Sequence, residues 1–396
     1  MCQRVTQIEE RDASRKVWGM DAPEVLACMA GAWFLLALLV AGSAGCQSSL
    51  SLECAGPVLG AKYLPSGRMA VWSFTRPVRG LNTKSFRETK AVLEVWDPEK
   101  PDAPPARIWR PMLPGDGCAV TDGLVAFPAG ADTAESWPLK WDVEQPGVKV
   151  AELTSGAVVA EFPVEHGWRV GSIGASPRGK YVAWTEEYWE RIHELDEFRL
   201  KVADLQHKEV ILNLTVKKEN VYQKVSQLVF SPDETRLAFG AWEGASGAGC
   251  ASVSEGRILW QTSEHGGGWR IAFCPDGKTF FTILGSTLLR FETETGRMIW
   301  STEVECADVW WTHGYDRLQA LDVSPDGRYV AVFAEFQRKA MVWEVASGKL
   351  VRQLRVAQRS GEGELFFDRQ MRGLWVAGPG ENQLRLVRVE WPDSQN

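Results

Sequence analysis

The chain of 396 residues is 45% hydrophobic and 24% charged, which excludes an intrinsically disordered protein and suits one large or two ordinary globular domains. Its 44 Lys and Arg residues and 51 Asp and Glu residues give a formal net charge of −7. No Lys/Arg cluster supplies the basic face that phosphate binding requires, so we expect no nucleic-acid partner.

The chain begins with a polar segment, residues 1–24, which carries five acidic and four basic residues. Residues 25–45 form the second predicted domain, a signal peptide or transmembrane anchor. Within it, Val25 to Ala44 (VLACMAGAWFLLALLVAGSA) has no charged residue in twenty positions, enough to cross the hydrocarbon core of a bilayer as a helix. We therefore predict an N-terminal hydrophobic helix that acts in export or membrane attachment.

The end of this segment, Ser43 to Cys46 (SAGC), resembles the lipobox of bacterial lipoproteins. In that family the signal peptide is cut before the Cys, whose thiol carries the lipid, and the resemblance therefore implies lipidation at Cys46. Ser43 departs from the family pattern, which has Leu or a similar apolar residue there. Three alternatives stay open: a lipidated Cys46, an uncleaved signal anchor, and ordinary cleavage with secretion. The first two give a membrane-anchored protein, and all three place the residues after Cys46 on the periplasmic or extracellular side.

Residues 46–396 contain a repeated unit that is clearest from Leu318 to Val356. This stretch has four apolar runs of about six residues, rich in β-branched and aromatic side chains, as expected for antiparallel strands. SPDG at Ser324–Gly327 has the composition of a type I turn, and ASGK at Ala346–Lys349 supplies the glycine that a tight hairpin needs. Because one such sheet cannot bury both of its faces, the unit implies neighbours like itself.

Similar turns recur along the chain, and their separations of about 43 to 57 residues are typical of propeller blades. The turns are marked by Pro65, Asp122, Pro177, Pro232, Pro275, Pro325 and Asp368. With VWD at Val95–Asp97 and VWEV at Val342–Val345, they resemble the WD-repeat β-propeller superfamily from about Leu50 to Trp391. The resemblance implies an all-β fold: a seven-bladed β-propeller of four-stranded antiparallel blades, here preceded by the N-terminal hydrophobic helix.

Three tryptophans in presumed outer strands, Trp109, Trp260 and Trp300, resemble the docking tryptophans of quinoprotein-type propellers. That family includes quinone-dependent dehydrogenases, so the resemblance gives an alternative function, a quinoprotein-like oxidoreductase or another propeller enzyme. From residue type alone, these large aromatic side chains are expected to fill the wedge between adjacent blades.

The last unit lacks a fourth strand of its own. Gln47 to Cys54 (QSSLSLEC) alternates Ser with Leu and is predicted to supply that strand, which would join the two ends of the chain and leave no open edge. Attachment at Cys46 would then hold the propeller against the membrane with little linker.

Three insertions are longer than a minimal propeller needs: Thr75–Lys90, which is basic; Ala129–Gly147, which contains two Trp; and the acidic Thr185–Phe198. In the last, Tyr188, Trp189, Ile192 and Leu195 are three or four residues apart, which predicts a short amphipathic helix on the propeller. These insertions are the first places to expect a protein partner, because loops on a rigid framework carry most binding sites.

The sequence identifies no catalytic or metal-binding residue and implies no cofactor. None of the five His residues forms an HxH or HxxxH pair, and the cysteines after Cys46 are irregularly spaced, which argues against a disulfide framework. Cofactor-binding residues stay unassigned. The predicted function is a membrane-tethered, extracytoplasmic scaffold for protein–protein interaction, with an unidentified protein as partner and contact with the membrane through an anchor or lipid.

Overall fold

The computed structural model describes residues 48–54, 58–64, 66–74, 91–97, 100, 104–109, 118–129, 147–191, 194–217, 224–242, 248–262, 268–304, 318–334, 337–356, 364–368, 373–379 and 383–390. All of them belong to one compact unit, Gln47–Asn396. Their regular secondary structure is entirely β-strand. No membrane-spanning helix is found among these residues; the predicted hydrophobic helix, residues 25–44, and Cys46 lie outside them.

The strands follow one another in short antiparallel hairpins. In chain order they are β1 (Ser48–Glu53), β2 (Val58–Tyr63), β3 (Met69–Phe74), β4 (Ala91–Trp96), β5 (Ala106–Trp109), β6 (Ala119–Val120), β7 (Leu124–Pro128), β8 (Gly147–Glu152), β9 (Val158–Pro163), β10 (Trp168–Ala175), β11 (Tyr181–Arg191), β12 (Glu194–Asp204), β13 (Glu209–Lys217), β14 (Lys224–Phe230), β15 (Arg236–Trp242), β16 (Ala248–Ser252), β17 (Arg257–Gln261), β18 (Gly268–Phe273), β19 (Thr279–Leu284), β20 (Thr287–Glu292), β21 (Met298–Glu303), β22 (Leu318–Val323), β23 (Tyr329–Ala334), β24 (Lys339–Glu344), β25 (Leu350–Arg355), β26 (Glu364–Phe367), β27 (Gly373–Pro379) and β28 (Gln383–Glu390).

Six blades are each built from four consecutive strands, β2–β5, β6–β9, β10–β13, β14–β17, β18–β21 and β22–β25. The remaining strands form a composite sheet in the order β1–β28–β27–β26, which we call the closing sheet. The prediction that β1 completes the last sheet is confirmed, since Ser48 pairs with Arg388 and Glu53 with Gln383. The edge of β28 is thereby covered by a strand from the other end of the chain.

The predicted fold class needs correction in the number of blades, whereas its N-terminal hydrophobic helix lies outside the described residues. Six blades, not seven, are made of consecutive strands; the closing sheet has only three consecutive strands and takes its fourth from the start of the described chain. In addition, no helix occurs in the described residues. The count of seven followed the seven recurring turns, but only the first six of those turns belong to sheets made of four consecutive strands.

The predicted amphipathic helix in the Thr185–Phe198 insertion is also wrong. Residues 185–191 lie in β11 and residues 194–198 in β12, two paired strands of eleven residues each, where most strands of the other blades have about six. The spacing of Tyr188, Trp189, Ile192 and Leu195 fits a helix by coincidence. Pairing between β11 and β12 continues to Arg191 and Glu194, and β10 and β13 flank the hairpin up to Tyr188 and Glu197. This strand pairing overrides the local pattern.

The core lies between neighbouring sheets. Each pair of neighbours encloses one hydrophobic cluster, and the clusters continue from blade to blade through the closing sheet and back to the first blade. The sheets therefore form a complete circle. Strands such as β19 (TFFTIL) and β23 (YVAVFA) are buried along most of their length, as expected for strands covered on both faces.

From β6 through β10, β14, β18 and β22 to β26, and from β26 to β2, the first strands of neighbouring sheets contact one another along the inside of the circle. Side chains on these strands bond to the backbone of the next sheet: Ser172 Oγ to the Val225 carbonyl, the Ile271 amide to Gln227 Oε1 at 2.6 Å, and the Phe367 amide to Asp322 Oδ2 at 2.8 Å. These bonds fix the spacing of the inner strands, so the faces of the propeller form a rigid framework.

The predicted SPDG-type turns are confirmed. In each, the fourth residue donates its amide to the carbonyl of the first, as from Gly327 to Ser324 at 2.8 Å. Cys274 occupies the Ser position in one turn, where it accepts a hydrogen bond from Thr279 Oγ1 at 3.1 Å. The fourth residue has positive φ, which glycine adopts at little cost, at Gly67, Gly179, Gly277 and Gly327.

Glu234 occupies the glycine position of the turn at Pro232. Its φ is +65°, a conformation that is costly for a residue with a Cβ atom. Its buried carboxylate accepts a hydrogen bond of 2.7 Å from the amide of Arg178, in the corresponding turn of the preceding blade. Glutamate at this position therefore introduces backbone strain but also forms a charge-assisted hydrogen bond between two blades.

The prediction that tryptophans fill the wedges between blades is confirmed for Trp260. Its ring lies 5.7 Å from that of Phe280 with an interplanar angle of 8°, and its Nε1 donates to the carbonyl of Thr293 in the next blade at 2.8 Å. The same ring covers Gly296, where a Cβ atom would lie 2.3 Å from Trp260 Cδ2. The glycine is therefore needed for close approach as well as for its φ of +69°.

Trp300 repeats this arrangement one blade further along. Its Nε1 donates to the Val345 carbonyl at 3.0 Å, and its ring lies against Gly348, where a Cβ atom would be 2.9 Å from Trp300 Cδ2. Trp109 lies in β5, the outer strand of its blade, as predicted. The tryptophan contacts therefore act as packing between blades.

Candidate interaction surface

The long hairpin of the third blade carries a buried carboxylate, Glu186. It is 0% exposed, and its Oε1 lies 2.7 Å from Lys201 Nζ and accepts a hydrogen bond of 3.1 Å from Trp184 Nε1. Arg199, opposite Glu186 in the β11–β12 register, places NH1 3.8 Å from Glu186 Oε2. A buried carboxylate is costly unless it is paired, and here two cations on the neighbouring strand compensate for its burial.

Arg199 connects this buried cluster to the surface. The same NH1 atom donates to Glu165 Oε2 at 2.8 Å, and the guanidinium lies over the ring of Trp168, 3.8 Å from the centroid. The hydrogen bond and the charge of Arg199 hold the pKa of Glu165 below its ordinary value. With carboxylates on two sides and an aromatic ring below, the planar guanidinium is held in one orientation.

A tight turn places Glu165 and Trp168 beside the hairpin. The amide of Trp168 donates to the carbonyl of Glu165 at 3.1 Å, and Gly167 at the third position has a φ of +87°, as in a type II turn. Trp168 is then the first residue of β10 and pairs with Tyr188 of β11. The turn at Glu165–Trp168 therefore brings Glu165 and Trp168 next to Tyr188, which lies twenty or more positions later in the chain.

Tyr188 completes this cluster. Its ring lies 5.5 Å from that of Trp168 at an interplanar angle of 44°, and it is 39% exposed although it is a large aromatic residue. We call Glu165, Trp168, Tyr188 and Arg199 the Trp168 surface. Tyr, Trp and Arg are the residue types most enriched at the energetic centres of protein interfaces, and here they are already ordered by their mutual contacts.

The Trp168 surface lies partly outside the predicted interaction regions. Tyr188 was within the predicted insertion Thr185–Phe198, but Glu165, Trp168 and Arg199 were not singled out. The sequence EHGW at Glu165–Trp168 holds a usable signal, because glycine before a strand indicates a turn that presents its neighbours. The predicted insertion Thr75–Lys90 lies outside the described residues. Of the insertion Ala129–Gly147, only the two end residues are described.

The residues considered for chemistry are dispersed. His166 and His207 are exposed, and His207 Nδ1 lies 3.2 Å from Asp204 Oδ2; the other three His residues are outside the described part of the chain. Among the described residues, Cys250 and Cys274 are buried free thiols. Burial raises the pKa of Cys250 to about 12, so this thiol is held in its unreactive protonated form. No group of three or more potential metal ligands occurs within the described residues.

Comparisons with known proteins agree with the architecture. No protein-family model and no curated protein matches the sequence. Among solved structures, the chain is similar to the β-propeller domain of Cps50 (Swd1) from Myceliophteria thermophila, with 13% sequence identity and a TM-score of 0.54. The alignment covers 84% of this chain and 96% of that domain. At this identity the likeness shows the fold alone: the chain is a β-propeller.

Proposed function

We propose that this chain is a membrane-tethered, extracytoplasmic scaffold that binds a protein partner through the Trp168 surface. The β-propeller fold is consistent with a protein-interaction scaffold. The observation that carries the proposal is the ordered cluster of Trp168, Arg199 and half-exposed Tyr188 on an unusually long hairpin. Binding to a pre-ordered cluster loses little side-chain entropy, so each contact contributes more to affinity.

Replacing Trp168 by Ala is expected to weaken partner binding at least tenfold, equivalent to about 1.4 kcal/mol. The partner is first identified by cross-linking in intact cells followed by mass spectrometry of the co-purified proteins, and its dissociation constant is then measured with the purified full chain. Arg199→Lys, which keeps the charge but loses the planar stacking group, should also weaken binding.

Val210→Ala is the matched control, because Val210 is 44% exposed on the outer strand of the same blade but outside the cluster. It should change the dissociation constant less than twofold. Equal affinities of the wild type and the Trp168→Ala variant for the partner would contradict the assignment of this surface.

The proposed tether is supported by the twenty uncharged residues from Val25 to Ala44 and by SAGC at Ser43–Cys46. Sequencing and mass measurement of the mature N-terminus should show a lipid-modified Cys46 as first residue, and Cys46→Ser should then abolish both cleavage and lipid labelling. An intact Met1 or apolar segment in a membrane-bound protein would instead establish a signal anchor. An unlipidated protein released from cells would contradict the tether.

A further inference from the structure

The outer strand of the sixth blade, β25 (LVRQLR), is both apolar and basic at the surface. Leu350 and Val351 are 44% and 43% exposed, and they are followed by exposed Arg352 and Arg355 and preceded by exposed Lys349. No acidic residue lies on this strand. In a chain with a net charge of −7, this concentration of positive charge is local.

The fifth blade extends the apolar part of this surface. Its outer strand β21 begins with Met298 and Ile299, 42% and 37% exposed, directly after the exposed Arg297. Arg297 Nε lies 3.4 Å from Glu292 Oε2, so its charge is paired within the blade, and the net positive charge comes from the sixth blade. Met298 and Leu350 hold equivalent positions. Each is the first residue of its outer strand and pairs with a residue of the third strand, Phe291 or Trp343, that lies next to a shift in register. We call Arg297, Met298, Ile299, Lys349, Leu350, Val351 and Arg352 the basic rim.

The basic rim lies at the N-terminal ends of the outer strands β21 and β25, and β1, the outer strand of the closing sheet, begins at the same end of its sheet. Outer strand β1 starts at Ser48, opposite Arg388 near the end of β28, just as β25 starts opposite Trp343 near the end of β24. The closing sheet packs directly on the sixth blade through one hydrophobic cluster. The starts of β1 and β25 are therefore at the same end of adjacent sheets.

Chain length limits how far this end can be from an attachment at Cys46. Ser48 is two positions after Cys46, and an extended chain spans at most about 3.5 Å per residue. With the tether of the proposed function, on which this inference rests, Ser48 would lie within about 7 Å of the attached residue. A propeller held so closely has one rim next to the lipid headgroups.

We infer that the basic rim contacts an anionic lipid surface. Exposed aliphatic side chains flanked by Lys and Arg are suited to the boundary between headgroups and acyl chains, where the apolar atoms enter the hydrocarbon and the cations meet lipid phosphates. This contact orients the propeller with the fifth and sixth blades toward the membrane and the third blade, which carries the Trp168 surface, away from it.

The test compares two matched positions in the full chain reconstituted into vesicles. Gln353 on β25 and Asn213 on β13 are both exposed. The two positions are equivalent in their blades: Gln353 follows Arg352, which pairs with Val342 of the third strand, and Asn213 follows Leu212, which pairs with Val202 of the third strand. An environment-sensitive fluorescent amino acid is placed at one position or the other. In phosphatidylcholine vesicles containing one-third phosphatidylglycerol, an aqueous quencher should quench the probe at 353 several-fold less than the probe at 213.

Charge reversal provides the second measurement. Lys349→Glu with Arg352→Glu should remove the difference between the two probes while the protein still floats with the vesicles, and high salt should reduce the difference in the wild type. Because the changed side chains are exposed, the urea midpoint should stay unchanged.

The outcomes separate the inference from the tether. Protein that floats with vesicles but shows equal quenching at both positions overturns the basic rim and leaves the tether standing. Protein that does not float overturns the tether and the inference together. Shielding of position 353 in native membranes but not in protein-free vesicles would identify an acidic protein as the occupant and overturn the lipid assignment.

Discussion

Replacing Leu52 by Asp is expected to open the propeller. Leu52 is 1% exposed in the cluster between the closing sheet and the first blade, together with Met69, Val71, Trp96 and Phe366. The substitution removes buried apolar contacts and places a carboxylate among them, so we expect the free energy of unfolding to fall by about 4 kcal/mol or more. Urea denaturation monitored by tryptophan fluorescence measures this loss.

Opening at this position should also be visible as local cleavage. Because β1 contributes one of the four strands of the closing sheet, limited proteolysis of Leu52→Asp should cut first within β26–β28 or β1. Val158→Asp is the control, since Val158 is 46% exposed on outer strand β9 and its change should cost less than about 0.5 kcal/mol. Equal urea midpoints for Leu52→Asp and the wild type would show that β1 does not hold the circle closed.

Three glycine-to-alanine substitutions form a graded series. Gly256, Gly348 and Gly296 have similar φ values of +63°, +67° and +69°. Backbone strain in each alanine variant should therefore lower the free energy of unfolding by about 1 kcal/mol. They differ in the space available, because the nearest atom to the added Cβ would be 4.0 Å away at Gly256, 2.9 Å at Gly348 and 2.3 Å at Gly296. The tryptophan ring at Gly296 is itself packed against Phe280, which limits its adjustment.

We therefore expect Gly296→Ala to lower the free energy of unfolding by about 3 kcal/mol or more, Gly348→Ala by an intermediate amount and Gly256→Ala by about 1 kcal/mol. Chemical denaturation of the three variants measures the order directly. A loss at Gly256 as large as that at Gly296 would mean that backbone conformation alone, and not contact with Trp260, determines the cost.

Much of the fold could be predicted because its information is local. SPDG turns and hairpin glycines are defined by a few adjacent residues, and the alternation of Ser and Leu in Gln47–Cys54 was enough to predict the closing strand. The helix predicted in Thr185–Phe198 failed for the complementary reason. Its side-chain spacing fits a helix locally, whereas the structure is decided by the pairing of β11 with β12.

The candidate site was harder to predict because it joins distant residues. Glu165 precedes the third blade, Trp168 begins its first strand, and Tyr188 and Arg199 lie on opposite strands of the hairpin. The sequence does not show that Arg199 stacks on Trp168. Glu234 is similar: it could be recognised as a departure from the glycine of the turn, but its bond to the Arg178 amide depends on how two blades meet. Long-range geometry of this kind becomes visible only when the sheets are assembled.

Hydrogen–deuterium exchange of β1 tests the closed circle most directly. The account predicts that amides in Ser48–Glu53 exchange as slowly as those of the equivalent outer strands β9 and β21, because β1 is paired with β28 along its whole length. Complete exchange of β1 at the earliest time, while β9 and β21 remain protected, would contradict closure by this strand.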